Sequence, residues 1–401
     1  MRLVESFDES LADYQNLRQV LITGYYVVNK GALAMLSNLI LKDDCLSVVI
    51  SGNGNADFDY FWLRDNARDP ISFDSRSHQR ELFTCEVDAN IRPLKADLVN
   101  NGLALQVKWP DLDEAVCYEE TFLTTYAAPS DMLAMPKPMI WDVATLDDDI
   151  TQISHCDVIN DHGTRRLLDV VSKIGFAVIT GTPRNMDAVS DLTGRIGYVR
   201  HTIFGGLWSF EANENMADSA YTPKELRPHT DGTYSHDAPG LQMLLCVDYD
   251  AKGGASIMVD GFRIATELKT TAPEIYEDLS RINVTGIYKG DGVILRAQRP
   301  VFRTDSNGSL LQVSFNNYDR DTVTLPKDDM RALYAGIRAF DRLANDSAFQ
   351  WRYTLQPGDM LVFDNWRVLH GRSPFQGRRK MAGSYINRED YESAVRVNGL
   401  A

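Results

Sequence analysis

Two triplets of the form His-x-Asp stand in this chain, His155-Cys156-Asp157 and His229-Thr230-Asp231. On an extended strand residues i and i+2 share a face, so a histidine and a carboxylate at that spacing can reach one metal ion. Seven histidines in 401 residues make the search exhaustive, and two hits show how readily the triplet arises by chance. Context separates them. His155 lies in the polar run ITQISHCDVINDHG with no strand after it, and it reads as a surface or capping histidine. His229 lies in RPHTDGTYSHDAPGLQMLLCVDY, where turn residues lead directly into a long apolar strand. A third ligand is available in FDNWRVLHGR, where His370 ends an apolar run before a Gly-Arg turn. Two histidines and one carboxylate, with other positions left open, form the facial triad of non-haem Fe(II) oxygenases. The same three residues also suit a zinc hydrolase that keeps one water. Spacing alone puts iron only modestly ahead.

The arginines after the distal histidine strengthen the iron reading. Arg372 and the cluster Arg378-Arg379-Lys380 follow His370 in a chain of net charge −15. A guanidinium's planar fork suits a carboxylate bidentately, so this run offers a receptor for the far end of a dicarboxylic acid. Arg378 and Lys380 read more simply as solvated loop charges. There is no GxGxxG, P-loop, HExxH or GxSxG, which removes the usual supports for nucleotide cofactors and common hydrolases.

The acidic balance (Lys+Arg 41 against Asp+Glu 56) argues against nucleic acid and anionic lipid as partners. The first 25 residues mix charge signs, so no secretory signal is expected, and no apolar run reaches a membrane span. Five scattered cysteines without a CxxC pair point to a reducing compartment, here the cytoplasm, with no disulfide framework.

Residues 1–125 read as a small β-rich domain of short, broken strands, with a hairpin around Asn-Asn-Gly in DLVNNGLALQVKWPDL (97–112). The proline-rich stretch 126–141 reads as an extended linker. The larger domain, 142–401, opens with a helix-to-strand signal in DHGTRRLLDVVSKIGFAVITGTP (161–183). Helices are also expected in 272–282 and 327–346, the latter carrying an apolar stripe from Met330 to Leu343. LQMLLCVDY, GASIMVDGF, SLLQVSFNNY and GDMLVFDNW read as strands. Their long spacing favours a mainly β barrel or sandwich with supporting helices over a βαβ repeat.

The ordered stretches PHTDGTY, GGASIMVDGF, SFNNYDRD and FDNWRVLHGR resemble the γ-butyrobetaine and trimethyllysine hydroxylase family of Fe(II)/2-oxoglutarate dioxygenases, within the wider taurine dioxygenase-like superfamily. FDYFWLRDNARDP, SHQREL and KWPD are similar to that family's amino-terminal domain, so the resemblance spans nearly the whole chain. It implies a double-stranded β-helix (jelly roll) holding Fe(II) through His229, Asp231 and His370. It also implies 2-oxoglutarate held by Arg379, with Ser256 and Leu244 nearby, and O2 as oxidant, with ascorbate as a candidate reductant. The family's zinc-binding cysteines are matched by Ala67, Asp69 and Ser72, and WPDLDE offers no histidine. No structural zinc is therefore expected.

The family's trimethylammonium substrates have no N–H to donate and are gripped by aromatic faces. The residues matching its cage are Phe204, Trp208 and Tyr221, the first a departure from the usual tyrosine. Asp218 resembles the trimethyllysine enzymes, where an acid can pair with the α-ammonium, and Asn316 could bind the substrate's acid group. Gly232 stands where the butyrobetaine enzymes carry tyrosine. The expected substrate is thus trimethyllysine-like, the alternatives being γ-butyrobetaine or 2-(trimethylamino)ethylphosphonate, with Arg296 or Arg299 aiding the last. An inactive metal-binding barrel is the reading from another class. The expected partner is the small molecule alone, and a homodimer is compatible with it.

Overall fold

The computed structural model describes residues 35–128, 135–211, 223–290 and 292–401. The described residues up to 128 form one compact unit and those from 135 onward form another. Among the described residues no helix is long and apolar enough to cross a membrane.

The first unit contains two antiparallel three-stranded sheets. One joins Leu36–Leu41, Cys45–Ile50 and Gly54–Asp59; the other joins Lys95–Val99, Ala104–Lys108 and Val116–Glu119. The second sheet turns at Asn100-Asn101-Gly102, all three with positive φ, as the Asn-Asn-Gly signal requires. Trp109, Tyr118 and Leu63 form the centre of the core, and the Tyr118 hydroxyl donates to the Leu63 carbonyl at 2.7 Å. Where the family's cysteines would stand, Ala67 is buried and Asp69 accepts from the backbone of Ile71 and Ser72. Arg64, nearly fully buried, donates to Ser72 Oγ at 2.9 Å and to Asp111 at 2.8 Å.

The second unit is a double-stranded β-helix. Its major sheet runs in the order Trp208–Glu211, Phe375–Ile386, Leu241–Gly253, Met360–Asp364, Phe176–Thr180 and Gln152–Ser154. Its minor sheet runs Leu226–His229, Val368–Arg372, Ser256–Asp260 and Trp351–Tyr353. All pairings are antiparallel except that of Gln152–Ser154 with Phe176–Thr180.

Period-two alternation sorts the side chains. On the minor sheet Ile257, Val259 and Leu369 face a helical layer built from Gly261–Thr271, Pro273–Arg281 and Lys327–Ala344. The intervening Ser256, Met258, His370 and Arg372 face the interior and line a cavity. On the major sheet Met243 and Ser384 face outward, each within reach of Thr193 on the helix Met186–Ile196, while Gln242 and Leu244 face the cavity. The helix Asp161–Ile174 is capped by Asn160 and buries Leu167, Leu168, Val171 and Ile174 before the strand Phe176–Thr180 begins. Residues 135–141, inside the expected linker, belong to the second unit. Trp141 is buried there, its indole donating to the Ile174 carbonyl at 2.7 Å and its backbone N–H to Asp260.

Between Ser256–Asp260 and Trp351–Tyr353 the chain also forms a long hairpin, Asn283–Gly290 with Val293–Pro300, a two-stranded sheet of its own among the described residues. The strand expectations above do not include it. SLLQVSFNNY is strand only at Leu310–Val313; its remainder is the turn carrying Asn316.

Candidate active site

His229 and His370 are direct partners in the minor sheet, so the ladder brings their rings to 4.4 Å although they lie far apart in the chain. Gly371 makes this approach possible. A side chain there would meet the Leu226 carbonyl at 2.6 Å and Pro228 N at 3.0 Å, so only glycine lets the two histidine-bearing strands close. Asp231, in the turn after His229, places Oδ1 3.5 Å from His229 Nε2 and Oδ2 3.5 Å from His370 Nε2. One donor atom from each residue lies within 4.8 Å of the other two.

The surroundings fix these donors. His229 Nδ1 lies 2.8 Å from the Arg227 carbonyl, which assigns the proton to Nδ1 and leaves Nε2 free to bind a metal. Asn365, fully buried, accepts from the Asp231 backbone N–H at 2.8 Å and donates to the Asp231 carbonyl at 3.1 Å. The Tyr385 hydroxyl donates to Asp231 Oδ2 at 2.8 Å. His370 is held by packing, its ring centroid 4.7 Å from that of Phe363.

Electrostatics follow from burial and proximity. Burial disfavours the cationic form of His229, but the Asp231 carboxylate outweighs it and the pKa rises. Burial likewise opposes ionisation of Asp231, yet the two histidines and Tyr385 hold its carboxyl well below the usual range. His370 is pushed down to about 4, chiefly by burial. His370 thus offers a neutral imidazole and Asp231 an ionised carboxylate, while a divalent metal at His229 Nε2 would take the place of the proton that Asp231 favours there.

The donors open onto a cavity of about 460 Å³ that also reaches Phe204, Trp208, Leu244, Ser256, Asn316 and Arg379. Arg379 is 5% exposed, and among the described residues no carboxylate pairs with it. Burial lowers its pKa. A buried guanidinium without an anion is costly, which fits a receptor for a ligand carboxylate. Strand alternation turns its neighbours Arg378 and Lys380 out to solvent. Arg372 lies on the same inner face as His370, donates to the Lys224 carbonyl at 2.8 Å and is pushed down to about 10, by burial first and then by Arg379. Ser256 stands opposite Arg372 in the ladder.

Trp208 lies across Gly383, where a Cβ would fall 2.4 Å from the indole. Its ring neighbours are Phe210, stacked at 5.5 Å, and Tyr385 at 5.6 Å, rather than Phe204, which lines the cavity from a loop. Asp218 and Tyr221 lie outside the described residues. Asn316 reaches the cavity wall, but its amide oxygen accepts from the backbone of Tyr318 and Asp319 and its NH2 donates to Asp319. Arg296 and Arg299 are absent from the lining. Arg296 pairs with Asp321 at 2.5 Å, and Arg299 binds the carbonyls of Gly232, Ser235 and His236, so neither offers an anion receptor for a phosphonate. His155 opens a one-turn helix outside the cavity.

Tyr385, Phe210, Asn365 and Asp319 are site residues that the motifs alone do not single out. For Tyr385 a signal exists: it follows Arg379 on one strand at an even spacing, which places both on one face.

Residues 147–385 match the family described as taurine catabolism dioxygenase TauD, TfdA family. The chain is 30% identical over 374 residues to the trimethyllysine dioxygenase of Meyerozyma guilliermondii, covering 88% of this chain and 93% of that protein. It is 31% identical over 361 residues to the mitochondrial trimethyllysine dioxygenase of Rattus norvegicus, covering 86% and 83% respectively. To the gamma-butyrobetaine dioxygenase of Homo sapiens it is 27% identical over 359 residues, covering 84% and 89%.

Proposed function

We propose, for a chain that belongs to the TauD, TfdA dioxygenase family, that it is an Fe(II)/2-oxoglutarate-dependent hydroxylase of a small trimethylammonium substrate of the trimethyllysine type. The observation that carries this is one cavity holding three things: the His229, Asp231, His370 donor set, the buried Arg379 with which no carboxylate among the described residues pairs, and a wall of Trp208, Phe210 and Tyr385. The donors fit iron because they leave coordination positions open toward the cavity. Iron held there, with 2-oxoglutarate and O2, supplies the oxidising power that hydroxylates an unactivated C–H bond and releases succinate and CO2.

The chain's own residues do the rest. Arg379 binds the distal carboxylate of 2-oxoglutarate, with Ser256 and Leu244 lining its path. Tyr385 and Asn365 hold Asp231, and the Arg227 carbonyl fixes the tautomer of His229. The aromatic faces attract spread positive charge that has no hydrogen to donate, worth about 0.5–2 kcal/mol per ring. Phe204 and Tyr221 complete this reading of the cage, and Asp218 and Asn316 that of the polar end.

The test is a screen of trimethylammonium compounds for substrate-dependent succinate release, with an anaerobic titration of Fe(II) and 2-oxoglutarate read by the chelate's visible absorption. The expected result is the absorption band together with succinate release on trimethyllysine. A band without release on any such compound would leave an iron and 2-oxo-acid binding protein and remove the substrate assignment.

A further inference from the structure

The hairpin Asn283–Gly290 with Val293–Pro300 has two faces, and period-two alternation sorts its side chains between them. On the second strand Ala297 and Arg299 are buried, while Ile294, Arg296 and Gln298 are exposed. The buried face lies along the turn that follows Asp231, row by row. Arg299, opposite Val284, donates to the carbonyls of Gly232, Ser235 and His236. Gly286, opposite Ala297, comes so near Thr233 that a Cβ there would meet its backbone at 2.5 Å. Tyr288, opposite Leu295, sets its ring 5.4 Å from that of Tyr234. The first strand is also fixed to the turn that carries Asn316. Ile287 N–H donates to the Asp319 carbonyl at 2.8 Å, and Asp321 N–H to the Thr285 carbonyl at 2.9 Å. Beyond these anchors the same face continues to Leu295 and Val293, and both line the cavity.

Val293 is 41% exposed and Leu295 half-buried, so an anchored hairpin holds apolar surface at the cavity that its own packing does not cover. The aromatic and polar groups of the site address the two ends of a trimethylammonium amino acid. The methylenes between those ends make no hydrogen bond and are recognised by apolar contact alone. We propose that Val293 and Leu295 form a wall against which the substrate's methylene chain packs, so that the hairpin sets the chain length the site accepts. This rests on the trimethylammonium reading above. A wall fixed beforehand loses little freedom when the chain arrives. It also penalises a chain of the wrong length, whose ends then miss the aromatic faces or the polar partners.

The experiment measures kcat and KM for trimethyllysine and for its homologues with one methylene fewer and one more. The proteins compared are wild type, Leu295→Ala, Val293→Ala and Ile294→Ala. Wild type should discriminate by chain length. Leu295→Ala should raise KM for the preferred compound roughly fivefold to thirtyfold and move the preference toward the longer homologue. The anaerobic Fe(II) and 2-oxoglutarate absorption band should stay as in wild type. Val293→Ala, at a more exposed position, should show the same change to a smaller degree. Ile294→Ala, on the outer face, should match wild type, which separates the wall from any general effect of altering the hairpin. An unchanged order of preference in both Leu295→Ala and Val293→Ala would overturn the proposal, as would a loss shared by the chelate band. A wild type indifferent to chain length would overturn it without any variant. Wild type that turns over none of the three compounds removes the trimethylammonium reading itself, and this assignment with it.

Discussion

Tyr385 and the Arg227 carbonyl do the same job for different ligands, each holding a donor atom in one orientation before metal arrives. Partners of this kind typically contribute 10–100-fold in metal affinity or activity. Tyr385→Phe keeps the ring beside Trp208 and removes only the hydroxyl, so the Fe(II) concentration for half-maximal turnover should rise by about that range. Unchanged iron dependence would show that Asp231 needs no such support. The ligands themselves should behave differently. His229→Ala, Asp231→Ala and His370→Ala should each abolish turnover while the thermal unfolding midpoint without metal stays close to wild type. An open site contributes less to folding than a closed structural one. Retained activity in any two of the three would refute the donor set. Arg379→Ala should raise the 2-oxoglutarate requirement far more than that for the prime substrate, a loss of about 2–5 kcal/mol for a partly buried charge pair. Equal effects on both would point to Arg372 as the cosubstrate's partner.

At the scale of strands, the aromatic wall depends on a missing side chain. Gly383 pairs with Trp208, and a methyl there would press on the indole and on the Met243 carbonyl, 2.3 Å away. Gly383→Ala should cost about 1–3 kcal/mol by overpacking and should also weaken binding of the cationic substrate. Denaturant unfolding and a competition assay against the neutral tert-butyl isostere measure the two effects. If only stability falls, the indole face is not part of recognition. Strong periodic elements are legible from residue pattern alone: the helix Asp161–Ile174 with its following strand, the helix Lys327–Ala344 and the cavity strand Leu241–Gly253. The hairpin Asn283–Pro300 is harder to read, although GIYKGDGVILRA carries alternation around a Gly-Asp-Gly turn. Its residues Val293 and Leu295 line the cavity while Ile294 stays 71% exposed, so the apolar pattern marks no buried sheet. The donor triplet is readable because ligand spacing is local. The contact of Trp208 with Tyr385 is not, because the two rings meet only through cross-strand pairing.

At the scale of the whole chain, the amino-terminal unit must be stable without thiolate ligands at Ala67, Asp69 and Ser72. Arg64 is the buried residue that ties this region together, reaching Ser72 and Asp111 from the helix Tyr60–Asp65. Arg64→Ala removes those bonds and leaves a void, so chemical denaturation should show a loss of about 2–4 kcal/mol. A zinc chelator, in contrast, should leave the midpoint of the wild type unchanged. A chelator-dependent midpoint would place a structural metal in the protein after all.

The pairing of His229 with His370 has a consequence for the order of events in the cell. The second histidine belongs to a strand that is synthesised only after the long excursion through the helical layer and the separate hairpin. A ribosome-bound chain therefore carries His229 and Asp231 for much of its synthesis without a third donor. Closure of so distant a ladder belongs to the slow, late part of folding. All three donors can therefore meet one metal ion only once this ladder has closed.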